Sequence, residues 1–289
     1  TQEQGEALLA LITATPDYSQ LADADLVIEA VFEDRGIKKV VTEAVEAVLP
    51  DTSIFASNTS TLPITGLAEN STRPDQFIGV HFFSPVDKMM LVEVILGAKT
   101  GDKAIAVALD YVAAIKKTPI VVNDTRGFYV NRCVFRYINE AYDMLAEGVP
   151  AVMIENAAKF AGMPVGPLSL NDEVAVDLSQ KIMKASIADL GEASVEKHHM
   201  ALVDKMVTEL GRLGRKSQKG FYDYPPKPAK KSLWPGLKDL YPQKKPEDVD
   251  FAELQQRLLV TIALEAARTV EEGIVTDPRE ADVGSILGF

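Results

Sequence analysis

The stretch from Phe77 to Leu96 constrains the fold of this chain more than any other segment. It contains two apolar runs rich in β-branched and aromatic residues, separated by a short polar turn around Asp87, which is the pattern of a β-hairpin. Each run carries one titratable residue near its middle, His81 in the first and Glu93 in the second. A hairpin that is symmetric about Asp87 places the two opposite each other, with Cβ atoms about 4.5–5.5 Å apart.

The chemistry expected of this pair follows from its neighbours. Glu93 stands between Val92 and Val94, and a carboxylate in apolar surroundings is costly to desolvate unless it has a partner. An imidazole directly opposite supplies that partner, and a carboxylate that holds an imidazole makes it a stronger base. The pair therefore has the form of an orienting group and a general base. A partly exposed hairpin with two unrelated polar residues is the open alternative.

The composition restricts the class of protein. The 289 residues suffice for two domains, and 47% hydrophobic with 25% charged residues is typical of globular proteins. A net charge of −12 argues against nucleic-acid binding, and no apolar run is long enough to span a membrane. The single cysteine, Cys133, excludes an intrachain disulfide, falls in an apolar helical pattern and favours a reducing, cytoplasmic location.

Strands that alternate with helices predict a doubly wound α/β sheet in the first part of the chain. Asp34 is expected to cap a helix, and Pro63 to lie near the first turn of a short one. Besides the two hairpin runs, the expected strands are 9–13, 25–31, 53–56 and 119–122, and a further helix is expected over 103–117.

After Asn123 the pattern is almost entirely helical. An apolar stripe from Val130 to Leu145 at helical spacing predicts a helix that ends at Gly148. Segments rich in proline and lysine at 225–249 predict a linker, in which Trp234 is expected to pack locally. Further helices are expected near 151–162, 173–189, 195–211 and 250–289.

The last helical segment repeats the first helix of this part. At an offset of 125 residues, the matched positions are Arg132 with Arg257, Glu140 with Glu265, and Glu147-Gly148 with Glu272-Gly273. Matched residues at one offset indicate a duplicated helical module. His198 and His199 lie in an amphipathic helical pattern and are expected at the surface rather than at a metal site.

Two further polar residues stand where chemistry is expected. Ser60 follows a strand, at the edge where open α/β sheets bind ligands, and Asn131 begins a helix after a loop that contains Gly127. The second copy of the helix has Gln256 at the position of Asn131, so if position 131 carries chemistry, it does so in the first copy only. Both residues have ordinary structural alternatives, because such side chains often hydrogen-bond nearby backbone groups.

Four sequence blocks resemble those of the 3-hydroxyacyl-CoA dehydrogenase family in letters and in spacing. They are A-S-N-T-S-T at 56–61, H-F-F-S-P-V at 81–86, L-V-E-V at 91–94 and G-F-Y-V-N-R at 127–132. The resemblance continues through G-M-P-V-G-P at 162–167 and G-F-Y at 220–222. The duplicated module and the linker are similar to the α subunits of bacterial fatty acid oxidation complexes, which are multifunctional proteins.

The resemblance implies NAD-dependent oxidation of (S)-3-hydroxyacyl-CoA to 3-ketoacyl-CoA in fatty acid β-oxidation, with a thiolase subunit as a possible partner. It implies His81 as the base and Glu93 as its support, with Ser60 and Asn131 contacting the reacting oxygen or the thioester. The implied cofactor-binding residues are Ala30, Glu33, Lys38, Ser60 and Ser84. Two positions depart from the family pattern, which usually has Asn in place of Ser84 and Pro in place of Arg126.

The resemblance also divides the chain. The expected parts are a partial NAD-binding Rossmann domain at 1–123, a helical substrate and dimerisation domain at 124–224, a linker at 225–249 and the start of a second helical repeat at 250–289. The chain contains no G-x-G-x-x-G, which in the family precedes these segments together with the first βαβ unit. We therefore expect a fragment, truncated at both ends, that binds NAD weakly and is inactive alone.

Two other functions stay open at this point. A non-catalytic helical module that assembles a multienzyme complex fits the missing glycine loop. A dehydrogenase for short hydroxy acids without CoA is a weaker alternative, because the H-F-F-S-P-V block argues against it.

Overall fold

The computed structural model describes residues 1–289, which form two compact units. The first unit contains 1–128, 274–283 and Gly288, and the second contains the remaining residues. The first unit thus runs continuously to Phe128, five residues beyond the predicted bound at 123. The C-terminal segment contributes to both units instead of serving only as the start of a repeat. None of the helices combines the length and the apolar character that a membrane crossing requires.

A five-stranded sheet forms the centre of the first unit, with its strands in chain order. They are β1 (Leu26–Glu29), β2 (Ile54–Ser57), β3 (Phe77–Phe82), β4 (Leu91–Leu96) and β5 (Thr118–Asn123). The first three strands are parallel, β4 returns antiparallel to β3, and β5 runs parallel to β4. The helices of this part are α1 (Gln2–Leu9), α2 (Arg35–Glu46), α3 (Ile64–Ala68) and α4 (Asp102–Ala114).

The two faces of the sheet pack against different helices, which confirms the predicted doubly wound α/β class. Since side chains alternate along a strand, each face receives every second residue. One face consists of Ile54, Ala56, Ile78, Val80, Val92 and Val94, packed against Ala104, Ala108 and Val112 of α4. On the other face, a Cβ added to Gly79 would lie 2.8 Å from side-chain atoms of Ile64 and Ile95. Glycine therefore lets α3 approach the face that also carries His81 and Glu93.

The predicted strand at 9–13 does not form. The helix α1 begins with a capping box at Thr1, and its last turn continues through hydrogen bonds from the backbone N–H groups of Leu11 and Ile12. A short apolar run is compatible with either a strand or the end of a helix, and periodicity alone does not separate the two. The prediction at Asp34 is confirmed, because its side chain accepts a hydrogen bond from Ile37 N at 2.9 Å.

The second unit is mainly helical. Its helices are α5 (Val130–Ala146), α6 (Ala151–Phe160), α7 (Pro167–Val174), α8 (Val176–Leu190), α9 (Lys197–Asp204), α10 (Leu237–Leu240) and α11 (Phe251–Glu271), with α12 (Pro278–Gly288) shared between the units. Two short strands, β6 (Tyr222–Asp223) and β7 (Ser232–Leu233), pair with each other. The helix α7 is additional to the predicted segments. Cys133 is buried, which confirms its predicted place in the core.

The segment predicted as a linker, 225–249, is partly structured, because it contains β7 and α10. The prediction for Trp234 is confirmed, since the guanidinium of Arg212 lies 4.2 Å from its ring centre and Trp234 N donates to the carbonyl of Phe221. A cation stacked on an aromatic ring stabilises such a contact. The high content of proline and lysine therefore corresponds to a largely irregular segment that packs within the second unit, not to a flexible linker.

The predicted duplication is confirmed by α5 and α11, which pack against each other. Each arginine of one copy binds the two matching glutamates of the other copy. The pairs are Arg132 with Glu265 and Glu272, and Arg257 with Glu140 and Glu147. Each helix also ends at a glycine with positive φ, Gly148 at +85° and Gly273 at +71°. The repeated residues therefore form a reciprocal interface within the second unit.

Candidate active site

The hairpin of β3 and β4 places His81 directly opposite Glu93, as its symmetry predicts. His81 Nδ1 lies 2.7 Å from Glu93 Oε2, and the two side chains are 4% and 0% exposed. A carboxylate accepts only from a protonated ring nitrogen, so this hydrogen bond assigns the proton to Nδ1. Nε2 is then the ring nitrogen with a lone pair available to take a proton.

Aromatic side chains fix the plane of the His81 ring. The ring centre of Phe83 lies 4.4 Å from that of His81, and the ring centre of Phe128 lies 5.8 Å away. Both rings are tilted against the imidazole by more than 50°, a geometry typical of edge-to-face contacts. The imidazole is thus held by one carboxylate and two apolar rings, which restricts it to one orientation.

The loop after β2 is organised by the carboxylate of Glu33. Its Oε1 accepts hydrogen bonds from the backbone N–H groups of Ser60 at 3.1 Å and Thr61 at 2.9 Å. The hydroxyls of Thr59 and Thr61 donate to the same oxygen at 2.8 and 3.0 Å. Glu33 therefore holds partly exposed Ser60 in place at the carboxyl end of a parallel strand, where open α/β sheets bind ligands.

A second contact ties this loop to the strand that carries the histidine. Phe82 follows His81 in β3, and its backbone N–H donates to Asn58 Oδ1 at 2.9 Å. Because β2 and β3 are also neighbours in the sheet, the loop and the hairpin form one connected framework. Ser60, His81 and Glu93 are therefore all positioned by the first unit.

A buried ion pair below this loop was not predicted. Lys38 Nζ lies 2.8 Å from Glu29 Oε1, and the two side chains are 2% and 3% exposed. The hydroxyl of Ser57 and the backbone N–H of Val31 also donate to Glu29. Glu29 is the last residue of an otherwise apolar strand, and a carboxylate at such a position is the sequence signal that could have identified it. The ammonium of Lys38 is neutralised inside the protein, and its role at a cofactor stays a prediction.

The other predicted cofactor residues lie at or near the carboxyl ends of the first three strands. Ala30 follows β1 and is exposed, and Ser84 is exposed in the hairpin turn. Ala30 lines an open cavity together with Asn58 and Phe82. This apolar, accessible edge fits one side of a dinucleotide, whereas the chain contains no glycine-rich loop to bind the pyrophosphate. Asn131 lies in the second unit, on the first turn of α5, and its contact with a substrate stays a prediction.

In the second unit, Asp172 holds the G-F-Y motif at 220–222. Its carboxylate accepts hydrogen bonds from Phe221 N and Tyr222 N, both at 2.8 Å. A Cβ at Gly220 would lie 1.9 Å from Asp172 Oδ1, so this position requires glycine. Burial raises the pKa of Asp172 to about 6, although these hydrogen bonds act in the opposite direction. The motif is therefore a structural anchor built on one buried acid.

The prediction for the other two histidines is wrong for one of them. His198 is 45% exposed, but His199 is only 3% exposed, because α9 packs against α5. Both Nε2 atoms contact Asp143 Oδ1, at 2.5 Å from His198 and 2.7 Å from His199. Burial acts to raise the pKa of Asp143, but the hydrogen bonds from the two histidines hold that pKa below its ordinary value.

Family models match most of the chain. A model described as the NAD binding domain of 3-hydroxyacyl-CoA dehydrogenase matches residues 1–125, and one described as the C-terminal domain of that enzyme matches residues 127–224. The chain belongs to the 3-hydroxyacyl-CoA dehydrogenase family. The model that matches the first part is that of an NAD binding domain, which indicates NAD as the cofactor.

The curated relatives are longer than this chain. It is 44% identical over 286 residues to the fatty acid oxidation complex subunit alpha of Shewanella loihica, covering 98% of this chain and 39% of that protein. The chain thus spans about two fifths of the length of the curated relatives that it matches.

Solved structures agree with the family assignment. The (S)-3-hydroxybutyryl-CoA dehydrogenase PaaH1 of Ralstonia eutropha superposes with a TM-score of 0.71 at 34% identity, over 78% of this chain and 80% of that one. The 3-hydroxybutyryl-CoA dehydrogenase of Escherichia coli K12 gives a TM-score of 0.81 at 25% identity, over 100% of this chain and 76% of that one.

Proposed function

We propose that the complete protein oxidises (S)-3-hydroxyacyl-CoA to 3-ketoacyl-CoA with NAD, as a step of fatty acid β-oxidation. The buried His81–Glu93 pair carries this proposal, because it leaves one ring nitrogen free for proton transfer. Membership of the 3-hydroxyacyl-CoA dehydrogenase family supplies the substrate class.

In this reaction His81 Nε2 takes the proton of the 3-hydroxyl group as the C3–H bond breaks and the carbonyl forms. NAD, when bound, accepts the hydride. Glu93 keeps the other ring proton on Nδ1 and stabilises the imidazolium that results, as a buried carboxylate does in other base–orienter pairs. In the reverse direction the imidazolium returns its proton to the alkoxide oxygen, so atoms and charges balance. A positioned histidine contributes about 10²–10⁴-fold to such a step.

Further residues are proposed for binding. Ser60 and Asn131 contact the reacting oxygen or the thioester, while Ala30 and Ser84 contact the cofactor. Glu33 supports the proposed role of Ser60, because it binds the backbone N–H of that residue and three neighbouring donors. Lys38 pairs with Glu29, and its Nζ lies 3.8 Å from Glu33 Oε2. Its proposed effect on the cofactor is therefore indirect, through the loop after β2 that Glu33 holds.

We also propose that the complete protein works in the cytoplasm together with a thiolase subunit. The relatives are named as a subunit of a fatty acid oxidation complex, and a thiolase consumes the 3-ketoacyl-CoA that the dehydrogenase forms. The chain has a single cysteine, Cys133, and so little use of cysteine is compatible with a reducing compartment. Co-purification of the complete protein from its native cells would show whether a thiolase accompanies it.

The activity is tested by following NADH oxidation by the complete gene product with acetoacetyl-CoA, and with acetoacetate as the matched control that lacks the thioester. We expect turnover with the thioester and little with the free acid. Turnover of both at equal kcat/KM would favour a dehydrogenase for short hydroxy acids. The absence of turnover with either compound in a folded protein that binds NAD would favour the helical assembly module.

A further inference from the structure

A cluster of histidine and carboxylate in the second unit has no part in the proposed reaction. Asp143 lies on α5, and His198 and His199 lie at the start of α9. Each residue offers one ligand atom, and these three atoms lie within 4.8 Å of one another. The chain has three histidines and one cysteine in total, so this cluster holds two of its three imidazoles.

The orientation of the two histidines is specific. Consecutive residues of a helix point about 100° apart, yet both rings direct Nε2 at the same oxygen of Asp143. The centre of the His199 ring lies 4.2 Å from that of His198 and 5.6 Å from that of Tyr142. His199 is buried and Tyr142 is fully buried, so one donor nitrogen is fixed before any ligand arrives. Preorganised donors of this kind lose little freedom when they bind an ion.

We propose that Asp143, His198 and His199 bind a first-row divalent metal ion, for which zinc is the best match. Two imidazoles and one carboxylate are a recurrent zinc donor set, with water in the fourth position of the tetrahedron. Imidazole favours zinc, copper, nickel and iron over magnesium and calcium, which prefer oxygen ligands. The ion takes the place of the two Nε2 protons that now point at Oδ1, and each ring stays neutral by carrying its proton on Nδ1.

The dimensions of the cluster fit this exchange. Bonds of about 2.0–2.2 Å to nitrogen and oxygen place the ligand atoms of a tetrahedral zinc about 3.3 Å apart. The present distances of 2.5 and 2.7 Å therefore have to lengthen by less than about 1 Å. Asp143 is 35% exposed and His198 is 45% exposed, so both can shift and an ion can enter from solvent. A bound ion joins α9 to α5, and the open position holds an exchangeable water.

The duplicated helix provides an internal contrast. At the offset of 125 residues, Asp143 of α5 corresponds to Arg268 of α11. Arg268 Nη1 donates to Glu265 Oε2 at 3.3 Å and has no capacity to bind a cation. The structure therefore assigns one metal ion to the chain, on the first copy of the module only.

The proposal is tested on chelator-treated protein titrated with Zn²⁺ by calorimetry and with Co²⁺ by visible absorption. We expect one ion per chain, the strong visible bands of tetrahedral Co²⁺, and a rise of several degrees in Tm with Zn²⁺ but not with Mg²⁺. The variants Asp143→Asn and His198→Gln remove exposed or half-exposed ligands, so we expect them to stay folded and to weaken Zn²⁺ binding at least 10-fold. His81→Gln, which removes the one histidine outside the cluster, is the matched control and keeps the wild-type affinity.

Two results would overturn the proposal. One is the absence of stoichiometric Zn²⁺ binding by the folded wild-type protein. The other is a Zn²⁺ affinity that Asp143→Asn and His198→Gln leave unchanged, which would place the ion elsewhere on the surface. Circular dichroism of each variant confirms that it is folded, so that a loss of binding reports the loss of a ligand.

Discussion

The chain contains two clusters of histidine and carboxylate that use the same chemical groups in opposite ways. In the first unit, His81 binds buried Glu93 through Nδ1, which leaves Nε2 for a substrate proton. In the second unit, both histidines direct Nε2 at Asp143, whose side chain is 35% exposed. The first arrangement fixes one base in one tautomer, whereas the second gathers three donor atoms around a point. The difference teaches that residue type alone does not indicate what a histidine–carboxylate cluster does. The ring nitrogen that faces the carboxylate, and the burial of that carboxylate, distinguish a base from a set of metal ligands.

The largest expected effect is on turnover and tests the role of the buried carboxylate. We expect Glu93→Gln to lower kcat of the complete protein at least 10²-fold with little change in KM, because a neutral amide does not stabilise the imidazolium. Steady-state NADH oxidation with acetoacetyl-CoA measures both constants. The same variant should bind Zn²⁺ as the wild type does, and a shared loss of turnover and Zn²⁺ binding would contradict the separation of the two clusters.

A second prediction compares the two carboxylates in folding stability. Removing one member of a buried pair leaves the other unpaired, so Glu93→Ala should lower the free energy of unfolding by about 3 kcal/mol. Asp143→Ala, in metal-free protein, should lower it by about 1 kcal/mol or less, because the Asp143 side chain is 35% exposed. Urea denaturation measures both. If both variants lost the same free energy of unfolding, the burial of the two carboxylates would not distinguish their roles.

A third prediction compares how the folding stability that depends on Asp143 and on Asp172 changes with pH. Asp172 has no histidine donors. The pKa of Asp172 is raised from 3.8 to about 6 by burial, so the folded state binds a proton that the unfolded state releases between pH 4 and 6. Stability should therefore fall by about 3 kcal/mol as pH rises through this window.

The pKa of Asp143 is lowered by its histidine donors against the effect of burial, so the sign is opposite. Its contribution is present above the unfolded pKa of about 3.9 and is lost as pH falls below it. Urea midpoints measured against pH for Asp172→Asn and Asp143→Asn test both signs. We expect the first variant to lose the slope between pH 4 and 6, and an unchanged slope would contradict the assignment to Asp172.

The smallest expected effect tests whether the duplicated interface supports the helix that carries Asp143. Arg257 Nε lies 2.7 Å from Oε1 of Glu140 on α5, and Arg257 Nη1 lies 2.6 Å from Oε2 of Glu147, the C-cap residue of that helix. Arg257→Gln should lower the free energy of unfolding by about 1 kcal/mol, while Lys39→Gln, in an exposed pair with Glu43, should change it by less than about 0.5 kcal/mol. Thermal unfolding of the two variants measures the difference, and equal effects would count against a structural role for the repeat.

How much could be predicted from sequence depends on the separation of the partners. His81 and Glu93 are 12 residues apart on one hairpin, so local symmetry predicts their register. Asp143 lies 55 and 56 residues from His198 and His199, and no local pattern links α5 to α9. The predicted surface position of His199 failed for that reason.

The same principle explains the other successes and failures in the fold. The Arg132–Glu265 contact spans 133 residues, yet the internal repeat predicts a related role for both helices because the residues match at one offset. The ion pair of Glu29 with Lys38 was missed, because a lysine on an amphipathic helix usually lies in solvent. The strand expected at 9–13 failed because a short apolar run does not specify whether a partner strand exists.

The central claim is that His81 acts as the base of a dehydrogenase. The most direct measurement is the single-turnover rate of hydride transfer between NADH and acetoacetyl-CoA in the complete protein, compared between wild type and His81→Gln. Asp87→Asn, in the exposed turn of the same hairpin, is the control. We predict a fall of about 10²–10⁴-fold for His81→Gln and little change for Asp87→Asn; a wild-type rate in a folded His81→Gln protein would contradict the account.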